Sequence, residues 1–375
     1  MHLIDPIYSP RLGDKLDTLD TPAMIVDLAA MENNIAQLMQ RFQAMQVAVR
    51  PHLKTVKSPE LARILLAAGA IGGCVAKVSE AEVMLRGGIE DLLITTEIVG
   101  APKLARLVAL VKDHPRLKVV VDSRVGAQEL DQALRAAGLE IDVLLDLNVG
   151  QNRTGVQPGE EALMLARFIG TLPGLHLVGV QGYEGHLQHV HNREERTQRC
   201  RQAMQALTAT AEQLRAEGFP IAIVTTGGTG TAEICASVGG ITEVQPGSFV
   251  FMDVDYRNAI GPIYANALTI LSTVISRTST RAVVDAGLKS LSTDSGMPEV
   301  KGISGVMYQP GGDEHGILTW DGSGQTIPEQ LEIGARIEIL PSHIDTTINL
   351  HDTYYAHRDG VLEAIWPVAT RGKVQ

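Results

Sequence analysis

The feature that most constrains how this 375-residue chain can fold is a regular alternation of strand and helix patterns. Residues 23–27 form an apolar run typical of a strand, and apolar residues then recur every three or four positions, as on one face of a helix. Repeated units of this kind predict a parallel sheet, and their number favours a closed (β/α)8 barrel over a doubly wound sheet. The later strand-like runs are residues 48–50, 73–75, 92–94, 118–121, 143–145, 177–180, 222–224 and 242–244.

The remainder of the chain has a different pattern. After about residue 258 the helical periodicity disappears, and short β-branched runs alternate with turns rich in Gly, Pro and Asp. This pattern predicts a smaller, mostly antiparallel β domain. Because nine strand-like runs precede it and a barrel needs eight, we place the first run outside the barrel. The prediction is an α/β protein with a TIM-type barrel over residues 28–258 and a β domain over residues 259–375.

Charge and composition exclude several classes of protein. The 32 Lys and Arg against 43 Asp and Glu give a net charge of -11, which argues against nucleic-acid or anionic-membrane binding. No uncharged apolar run approaches the ~18 residues of a membrane span, and the charged N-terminus lacks the apolar segment of a signal peptide. Cys74, Cys200 and Cys235 form neither a disulfide framework nor a CxxC zinc pattern. We therefore expect a cytoplasmic enzyme.

A basic segment, residues 50–57, directly follows the second strand-like run. Because barrels carry their catalytic groups at the C-terminal ends of strands, Lys54 is expected at the active-site mouth. A lysine there can form a Schiff base with a carbonyl once neighbouring cations and low polarity deprotonate it. Arg50, His52 and Lys57 are the expected cations. A solvated basic turn is the alternative, and the segment alone does not decide between them.

Three further strand-end loops contain candidate residues. The loop over residues 225–231 is rich in Gly and Thr and precedes a helix, so its backbone amides can cradle a phosphate, or it is a tight turn. Arg153, in a glycine-flanked turn, can hold an anionic oxygen or be a surface charge. Residues 182–189 contain Tyr183 and two histidines, which can stack on a ring or transfer protons, or form a plain surface loop.

The β domain contains a candidate metal site, His343 and Asp345. In an extended segment residues two apart point the same way, so these side chains can hold one ion together. A nitrogen and an oxygen donor suit Mn²⁺, Mg²⁺, Co²⁺ or Zn²⁺. Two ligands make an incomplete shell, which water, substrate or another residue must complete. Such His-x-Asp pairs are also common by chance.

Together these features resemble the fold-type III pyridoxal-phosphate enzymes, the alanine racemase-like family. Within it the chain is similar to the metal-dependent branch of D-threonine aldolases, D-3-hydroxyaspartate aldolases and D-serine dehydratases. The most specific motifs are the Arg-Pro-His-x-Lys segment that ends at Lys54 and the segment over residues 341–352. The resemblance extends over nearly the whole chain, and it implies that residues 1–27 pack on the β domain.

The resemblance also implies roles for individual residues. The racemases of the family have an arginine where this chain has Gln245, opposite the pyridine nitrogen, so a neutral partner should leave that nitrogen less protonated. His189 is the candidate for an acid–base or substrate-orienting role. The implied cofactor contacts are Lys54 as the Schiff-base lysine, Arg153 at the phenolic oxygen, Tyr183 on the pyridine face, and Gly228, Thr229, Gly230, Gly247 and Ser248 around the phosphate; His343 and Asp345 match the metal pair.

The implied reaction is a lyase reaction on a small D-3-hydroxy amino acid whose β-hydroxyl lies at the metal. Loss of the hydroxyl proton leads to Cα–Cβ cleavage, giving an aldehyde and glycine, whereas loss of hydroxide leads to dehydration and ammonia release. Dehydratases of the branch carry His-x-Cys where this chain has His343 and Asp345, so an aldolase is predicted and a dehydratase is the alternative. A racemase and a non-catalytic cofactor-binding protein are further options. A homodimer is implied by the family alone.

Overall fold

The structure is a computed structural model that describes residues 8–320 and 328–375. The described chain divides into two compact units, one formed by residues 35–247 and 372–375 and the other by the remaining residues. The division falls near the predicted boundaries, which stay a prediction. Among the described helices, none is long and apolar enough to cross a membrane.

The larger unit is built on eight parallel strands, which alternate with helices along the chain. The strands pair in the order β2-β9-β8-β7-β6-β5-β4-β3, and a parallel bridge between His52 and Cys74 joins the two end strands. The sheet is therefore closed into a TIM-type barrel, as the sequence predicts. The strands are β2 (Ala48–Val49), β3 (Gly73–Val75), β4 (Leu92–Ile94), β5 (Lys118–Val121), β6 (Ile141–Asp146), β7 (Leu175–Gly182), β8 (Ile223–Thr226) and β9 (Glu243–Val244).

Apolar side chains from successive strands fill the barrel. Cys74, Leu93, Val120 and Leu144 are buried together, with Val178 and Ile223 packed against them. Each comes from a different strand, as in the layered interior of such barrels. The helices are α1 (Leu28–Met45), which begins in the other unit, α2 (Pro59–Ala67), α3 (Val78–Arg86), α4 (Ala101–Val111), α5 (Arg124–Ala136), α6 (Glu160–Ile169), α7 (Arg193–Ala216) and α8 (Ala232–Ala236).

The other unit is a nine-stranded, mostly antiparallel sheet. The first strand of the chain, β1 (Ala23–Asp27), lies inside it, antiparallel to β10 and parallel to β16, which confirms that the first predicted strand lies outside the barrel. The remaining strands are β10 (Leu268–Arg277), β11 (Arg281–Val284), β12 (Glu299–Val300), β13 (Val306–Pro310), β14 (Gly316–Trp320), β15 (Arg336–Leu340), β16 (Thr353–Arg358) and β17 (Val361–Pro367); the helices are α9 (Val254–Ile260) and α10 (Ile344–Ile348).

Candidate functional site

Lys54 lies in the turn that follows β2, at the C-terminal end of a barrel strand. The chain continues the β2–β3 pairing beyond the strand, and the N–H of Leu53 donates to the carbonyl oxygen of Cys74 at 2.7 Å. Leu53 is buried, whereas Lys54 is exposed. The turn is thus anchored by its apolar residue, and Lys54 lies at the end of the barrel where such folds carry their catalytic groups.

Two of the three cations expected beside Lys54 are already paired. Arg50 donates to Glu243 at 3.0 Å and to Asp91 at 2.5 Å, and these carboxylates lie where β9 and β4 begin. Lys57 forms a buried salt bridge with Glu80 at 3.2 Å. That Arg50 and Lys57 promote deprotonation of Lys54 stays a prediction, and neighbouring carboxylates compensate both charges.

Arg153 and Tyr183 lie together, although they come from different strand-end loops. The guanidinium carbon of Arg153 is 5.5 Å from the centre of the Tyr183 ring. The turn after β6 is held by Asn148, whose Oδ1 accepts the N–H groups of Gly150 at 3.1 Å and Asn152 at 3.0 Å. This local pairing places Arg153 at the barrel end, so two of the predicted cofactor contacts converge.

The glycine-rich loop between β8 and α8 is buried along its whole length. Gly227 has a positive φ of 81°, which a residue with a side chain adopts only with strain. At Gly230 a Cβ would lie 2.3 Å from the backbone oxygen of Gln188. Thr229, between the glycines, is 9% exposed. The loop therefore combines a tight turn with close backbone packing, and its role as a phosphate cradle stays a prediction.

Gly247 packs on the turn that carries Lys54. A Cβ at Gly247 would lie 2.6 Å from Thr55 Oγ1 and 3.0 Å from the backbone oxygen of His52. A side chain at this position would therefore displace the turn. Ser248, the next predicted phosphate contact, is buried and belongs to the β-sheet unit.

Gln245 is buried near the end of β9, and its amide orientation is determined by a chain of hydrogen bonds. Its Nε2 donates to Gln181 Oε1 at 3.2 Å and to Thr225 Oγ1 at 2.8 Å. Gln181 in turn donates to Asp146 Oδ1 at 2.9 Å and to the backbone oxygen of Thr95 at 3.3 Å. Because a backbone carbonyl only accepts, the Gln181 amide is fixed, and it fixes the Gln245 amide. The carbonyl oxygen of Gln245 is left as the atom that it can offer to a ligand.

An acidic group lies where β4, β5 and β6 end. Burial and the neighbouring carboxylate of Asp146 raise the pKa of Glu97 to about 8. Burial also raises the pKa of Asp146, despite hydrogen bonds from Gln181 and Thr154. Asp122 adds to both effects through its charge. The sequence analysis did not single out this group, because its members are separated by 49 positions from Glu97 to Asp146.

His189 is exposed in the turn that follows a 3-10 helix over residues 185–187. The neighbouring His186 has its pKa lowered by burial and by the charge of Arg199. A neutral imidazole can accept a proton, so His186 is suited to proton transfer, and the role of His189 stays a prediction.

His343 and Asp345 do not lie in an extended segment. The backbone of His343 is extended, but it caps α10, and Asp345 lies in the first turn of that helix. The N-terminus of the helix is held by Asp253, whose Oδ2 accepts the N–H of Ile344 at 3.1 Å. The predicted geometry is therefore wrong, since a helix forms where a strand was expected, although the two side chains are close enough to interact electrostatically.

Asp294 lies beside His343 as a third carboxylate, after Asp345 and Asp253, and the sequence pattern did not indicate it. It lies 2.7 Å from Nδ1 of His343, and it accepts hydrogen bonds from Thr346 at 2.8 Å and Ser292 at 2.6 Å. Burial opposes ionisation, but these three hydrogen bonds lower the pKa of Asp294 to about 2. The sequence carries no signal that links Asp294 to His343, because Asp294 lies in a loop 49 positions earlier.

The donors present fit a divalent ion with an open shell. Burial lowers the pKa of His343, but the carboxylates of Asp345 and Asp294 outweigh it and raise that pKa above its ordinary value. A site this negative favours a cation, and a nitrogen–oxygen pair suits the predicted metals. Among the described residues, no three His, Cys, Asp or Glu side chains are placed to hold one ion together. Water or substrate would have to complete the shell.

The closed barrel with a lysine at a strand end, followed by an antiparallel sheet, is the architecture of the alanine racemase class. Residues 26–255 match the model of the alanine racemase N-terminal domain, and residues 267–357 match that of a serine dehydratase domain. The chain belongs to the alanine racemase-like family. Enzymes of this fold-type III family depend on pyridoxal phosphate, and D-threonine aldolases and related enzymes also depend on a divalent metal.

More specific similarity is found among characterised lyases. The chain is 41% identical to a D-threonine aldolase from an Arthrobacter species, over 96% of this chain and 95% of the relative. It is 36% identical to a 3-hydroxy-D-aspartate aldolase from Paracoccus denitrificans (95% and 93%) and 35% identical to a D-threo-3-hydroxyaspartate dehydratase from a Delftia species (90% and 93%). The crystal structure of a D-threonine aldolase from Filomicrobium marinum superposes with a TM-score of 0.93, at 40% identity, over 98% of this chain and all of that one.

Proposed function

We propose that this protein is a lyase that cleaves D-3-hydroxy amino acids of the D-threonine type into glycine and an aldehyde. The observation that carries the proposal is the His343–Asp345 pair, a nitrogen and an oxygen donor in a cluster of negative charge. Similarity to two aldolases along nearly the whole chain supports it. The substrate would be a small molecule, and neither nucleic acid nor membrane has a role.

The barrel residues would bind the cofactor. Pyridoxal phosphate, when bound, supplies an electron sink for the electrons released at Cα. Lys54 is the residue that would join it covalently, Tyr183 would pack on its ring, and Arg153 would hold its ring oxygen. Gln245 would offer its carbonyl oxygen, which only accepts a hydrogen bond. The phosphate would lie in the glycine-rich loop and at Gly247 and Ser248.

The β-sheet unit would bind the metal. His343 and Asp345 would supply the protein ligands, and Asp294 would hold the His343 ring by its Nδ1, which leaves Nε2 for the ion. A bound ion lowers the pKa of a hydroxyl that reaches it. His189 would then take the proton from the substrate's β-hydroxyl or orient that hydroxyl.

A dehydratase on the same scaffold is the alternative, and it is not favoured. The chain is more similar to the D-threonine aldolase, at 41% identity, than to the dehydratase, at 35%. The second donor is also the oxygen of Asp345 rather than a cysteine sulfur. Cys74, Cys200 and Cys235 are all buried in the barrel unit.

We also propose a homodimer in the cytoplasm. The three thiols are unoxidised and buried, which suits a reducing compartment. The dimer follows from the family resemblance, and sedimentation of the protein at twice the 40.2 kDa chain mass would support it. Sedimentation at the chain mass would contradict it.

The experiment that tests the reaction is incubation of the full chain with D-threonine, pyridoxal phosphate and Mn²⁺. The proposal expects acetaldehyde and glycine in equal amounts, and L-threonine serves as the stereochemical control. Formation of 2-oxobutanoate and ammonia would identify a dehydratase instead. Conversion of D-threonine to an L isomer without cleavage would identify a racemase.

A further inference from the structure

Glu184 is a completely buried carboxylate for which the proposed reaction has no role. It follows β7 and is 0% exposed. Its Oε2 lies 2.9 Å from Thr226 Oγ1, and its Oε1 accepts hydrogen bonds from the Thr231 hydroxyl and, at 3.0 Å, from Gln188 Nε2. Burial of a carboxylate is costly unless hydrogen bonds compensate it. Gln188 and Thr231 donate to Glu184 and provide that compensation, whereas the single proton of the Thr226 hydroxyl is also within reach of the backbone oxygen of Gly182 at 2.6 Å.

The two threonines are the ends of the glycine-rich loop. Thr226 is the last residue of β8, and Thr231 directly precedes α8. The Thr231 hydroxyl also accepts Gln188 Nε2 at 2.7 Å and the N–H of Gly228 at 3.2 Å. A hydroxyl has one donor and two acceptor positions, so all positions of Thr231 Oγ1 are used. Glu184 therefore accepts a hydrogen bond from one end of the loop, at Thr231, and contacts the hydroxyl at the other end, at Thr226.

Gln188 holds the interior of the same loop. Its Oε1 accepts the N–H of Gly230 at 2.9 Å. At Gly228 a Cβ would lie 2.6 Å from Gln188 Oε1. The glycines thus allow the loop backbone to approach Gln188 closely, and the amides of Gly228 and Gly230 are both used inside the protein. These two amides hold the loop in shape and do not point freely outwards.

The segment that supplies Glu184 and Gln188 also supplies two predicted site residues. Glu184 directly follows Tyr183, and Gln188 directly precedes His189. Glu184 and Gln188 are buried, whereas Tyr183 is half-buried and His189 is exposed. The buried residues of the segment therefore contact the glycine-rich loop, while Tyr183 and His189 are more exposed.

We propose that Glu184 and Gln188 are positioning residues that keep the glycine-rich loop in the conformation that receives the phosphate group of the cofactor. They contact the loop and not the cofactor. The inference rests on the proposed function, because it takes the loop as the phosphate site. It predicts that loss of either side chain weakens phosphate recognition specifically.

The test compares pyridoxal phosphate with pyridoxal, which lacks the phosphate. The full chain is stripped of cofactor and titrated with each compound, and binding is followed by near-visible absorbance. In Glu184→Leu and Gln188→Leu the affinity for pyridoxal phosphate should fall about tenfold or more, because buried hydrogen bonds are lost, while the affinity for pyridoxal should stay within about twofold. Glu184→Gln, which keeps one acceptor oxygen, should recover most of the affinity.

Asp131→Asn is the matched control, because Asp131 is another buried carboxylate of the barrel unit and accepts the N–H of Gly174 at 2.8 Å. It should leave the ratio of the two affinities unchanged. An equal fall for both compounds, or no fall, in both leucine variants would overturn the inference while the proposed function stands. Gln188→Leu carries the test alone if Glu184→Leu does not fold. A wild-type chain that binds neither compound would overturn the inference together with the cofactor role.

Discussion

At the scale of single residues, the contacts of each ionisable side chain distinguish cofactor chemistry from structural support. Lys54 is exposed at a strand end, whereas Lys57, three positions later, is buried against Glu80. Sequence spacing alone does not distinguish which of the two lysines is the better candidate for the Schiff-base lysine. Burial and pairing assign Lys57 to the stability of the turn, and Lys54 is the exposed one of the two lysines.

Lys54→Ala should remove the near-visible absorbance that the wild-type chain develops with pyridoxal phosphate, because no lysine nitrogen is left to join the aldehyde. Absorbance spectra of the variant before and after borohydride reduction provide the measurement. Lys103→Ala, at an exposed lysine of α4, is the control and should behave as wild type. A variant that keeps a reducible near-visible band would remove Lys54 from its proposed role.

His343→Ala should retain cofactor absorbance but lose cleavage of D-threonine, because a metal ligand is removed. Asp294→Asn should have a graded effect, about 10- to 100-fold weaker metal binding, because it frees Nδ1 of His343 from the carboxylate that orients the ring. Calorimetric titration with Mn²⁺ measures both effects. Metal binding unchanged in His343→Ala would show that the ion, if any, binds elsewhere.

At the scale of secondary-structure elements, the two ends of the barrel strands have different chemistry. The buried guanidinium of Arg50 joins Glu243 and Asp91 where strands begin, and Lys118 approaches Asp91 at 3.2 Å. The opposite end carries Lys54. In barrels of this type the N-terminal end of the sheet contributes to stability and the C-terminal end to catalysis.

Arg50→Met should therefore lower the free energy of unfolding by about 3–5 kcal/mol, because it leaves the buried Glu243 without its cation and Asp91 with Lys118 alone. Urea denaturation of the cofactor-free chain measures this loss. The double variant Arg50→Met with Glu243→Gln should recover part of it, since one uncompensated charge is removed. Full stability in Arg50→Met would contradict the structural role assigned to the pair.

The acidic group at the ends of β4, β5 and β6 makes the free energy of unfolding depend on pH. Glu97 keeps its proton up to a pKa of about 8 in the folded chain, whereas an unfolded glutamate ionises near ~4.3. Between these values the folded state holds the extra proton, so the free energy of unfolding should decrease as pH rises. Glu97→Gln should show a smaller decrease between pH 5 and pH 9, by urea denaturation, and Glu161→Gln, at an exposed glutamate of α6, should match wild type. An unchanged slope in Glu97→Gln would contradict the raised pKa.

The elements that were predicted depend on residues close in the sequence, whereas those that were missed depend on distant residues. The barrel strands are short β-branched runs between helices, and all eight occur where the pattern placed them. In the β-sheet unit the sequence pattern predicts only a mostly antiparallel domain, because distant partners, such as β1 for β16 and β15 for β12, determine how its strands pair. The five-residue helix α10 was missed for the same reason, since Asp253 caps it from 91 positions away.

At the scale of the whole molecule, the sequence indicates the candidate site residues, but it does not indicate the contacts that hold them in position. Lys54, His343 and Asp345 lie in motifs that can be recognised from the sequence alone. Glu184 was read only as part of a tyrosine–histidine loop, because its partner Thr231 is 47 positions away. The hydrogen bonds that fix Gln245, and the carboxylate that holds His343, likewise join distant segments.

The molecule combines a net charge of -11 with compensated cations inside the barrel. The local excess of positive charge expected from the basic segment is largely absent, because Arg50 and Lys57 are paired. The β-sheet unit, by contrast, concentrates carboxylates around His343. The charge distribution of the β-sheet unit therefore suits a cation held by side chains.

The most direct test of the central claim, carbon–carbon cleavage that needs both cofactor and metal, is glycine formation from D-threonine before and after metal removal. The chain is treated with EDTA, assayed with pyridoxal phosphate, and then reloaded with Mn²⁺. Glycine formation should fall to background in EDTA and return with Mn²⁺, while the near-visible absorbance of the bound cofactor persists throughout. Undiminished glycine formation in the metal-free sample would contradict the account.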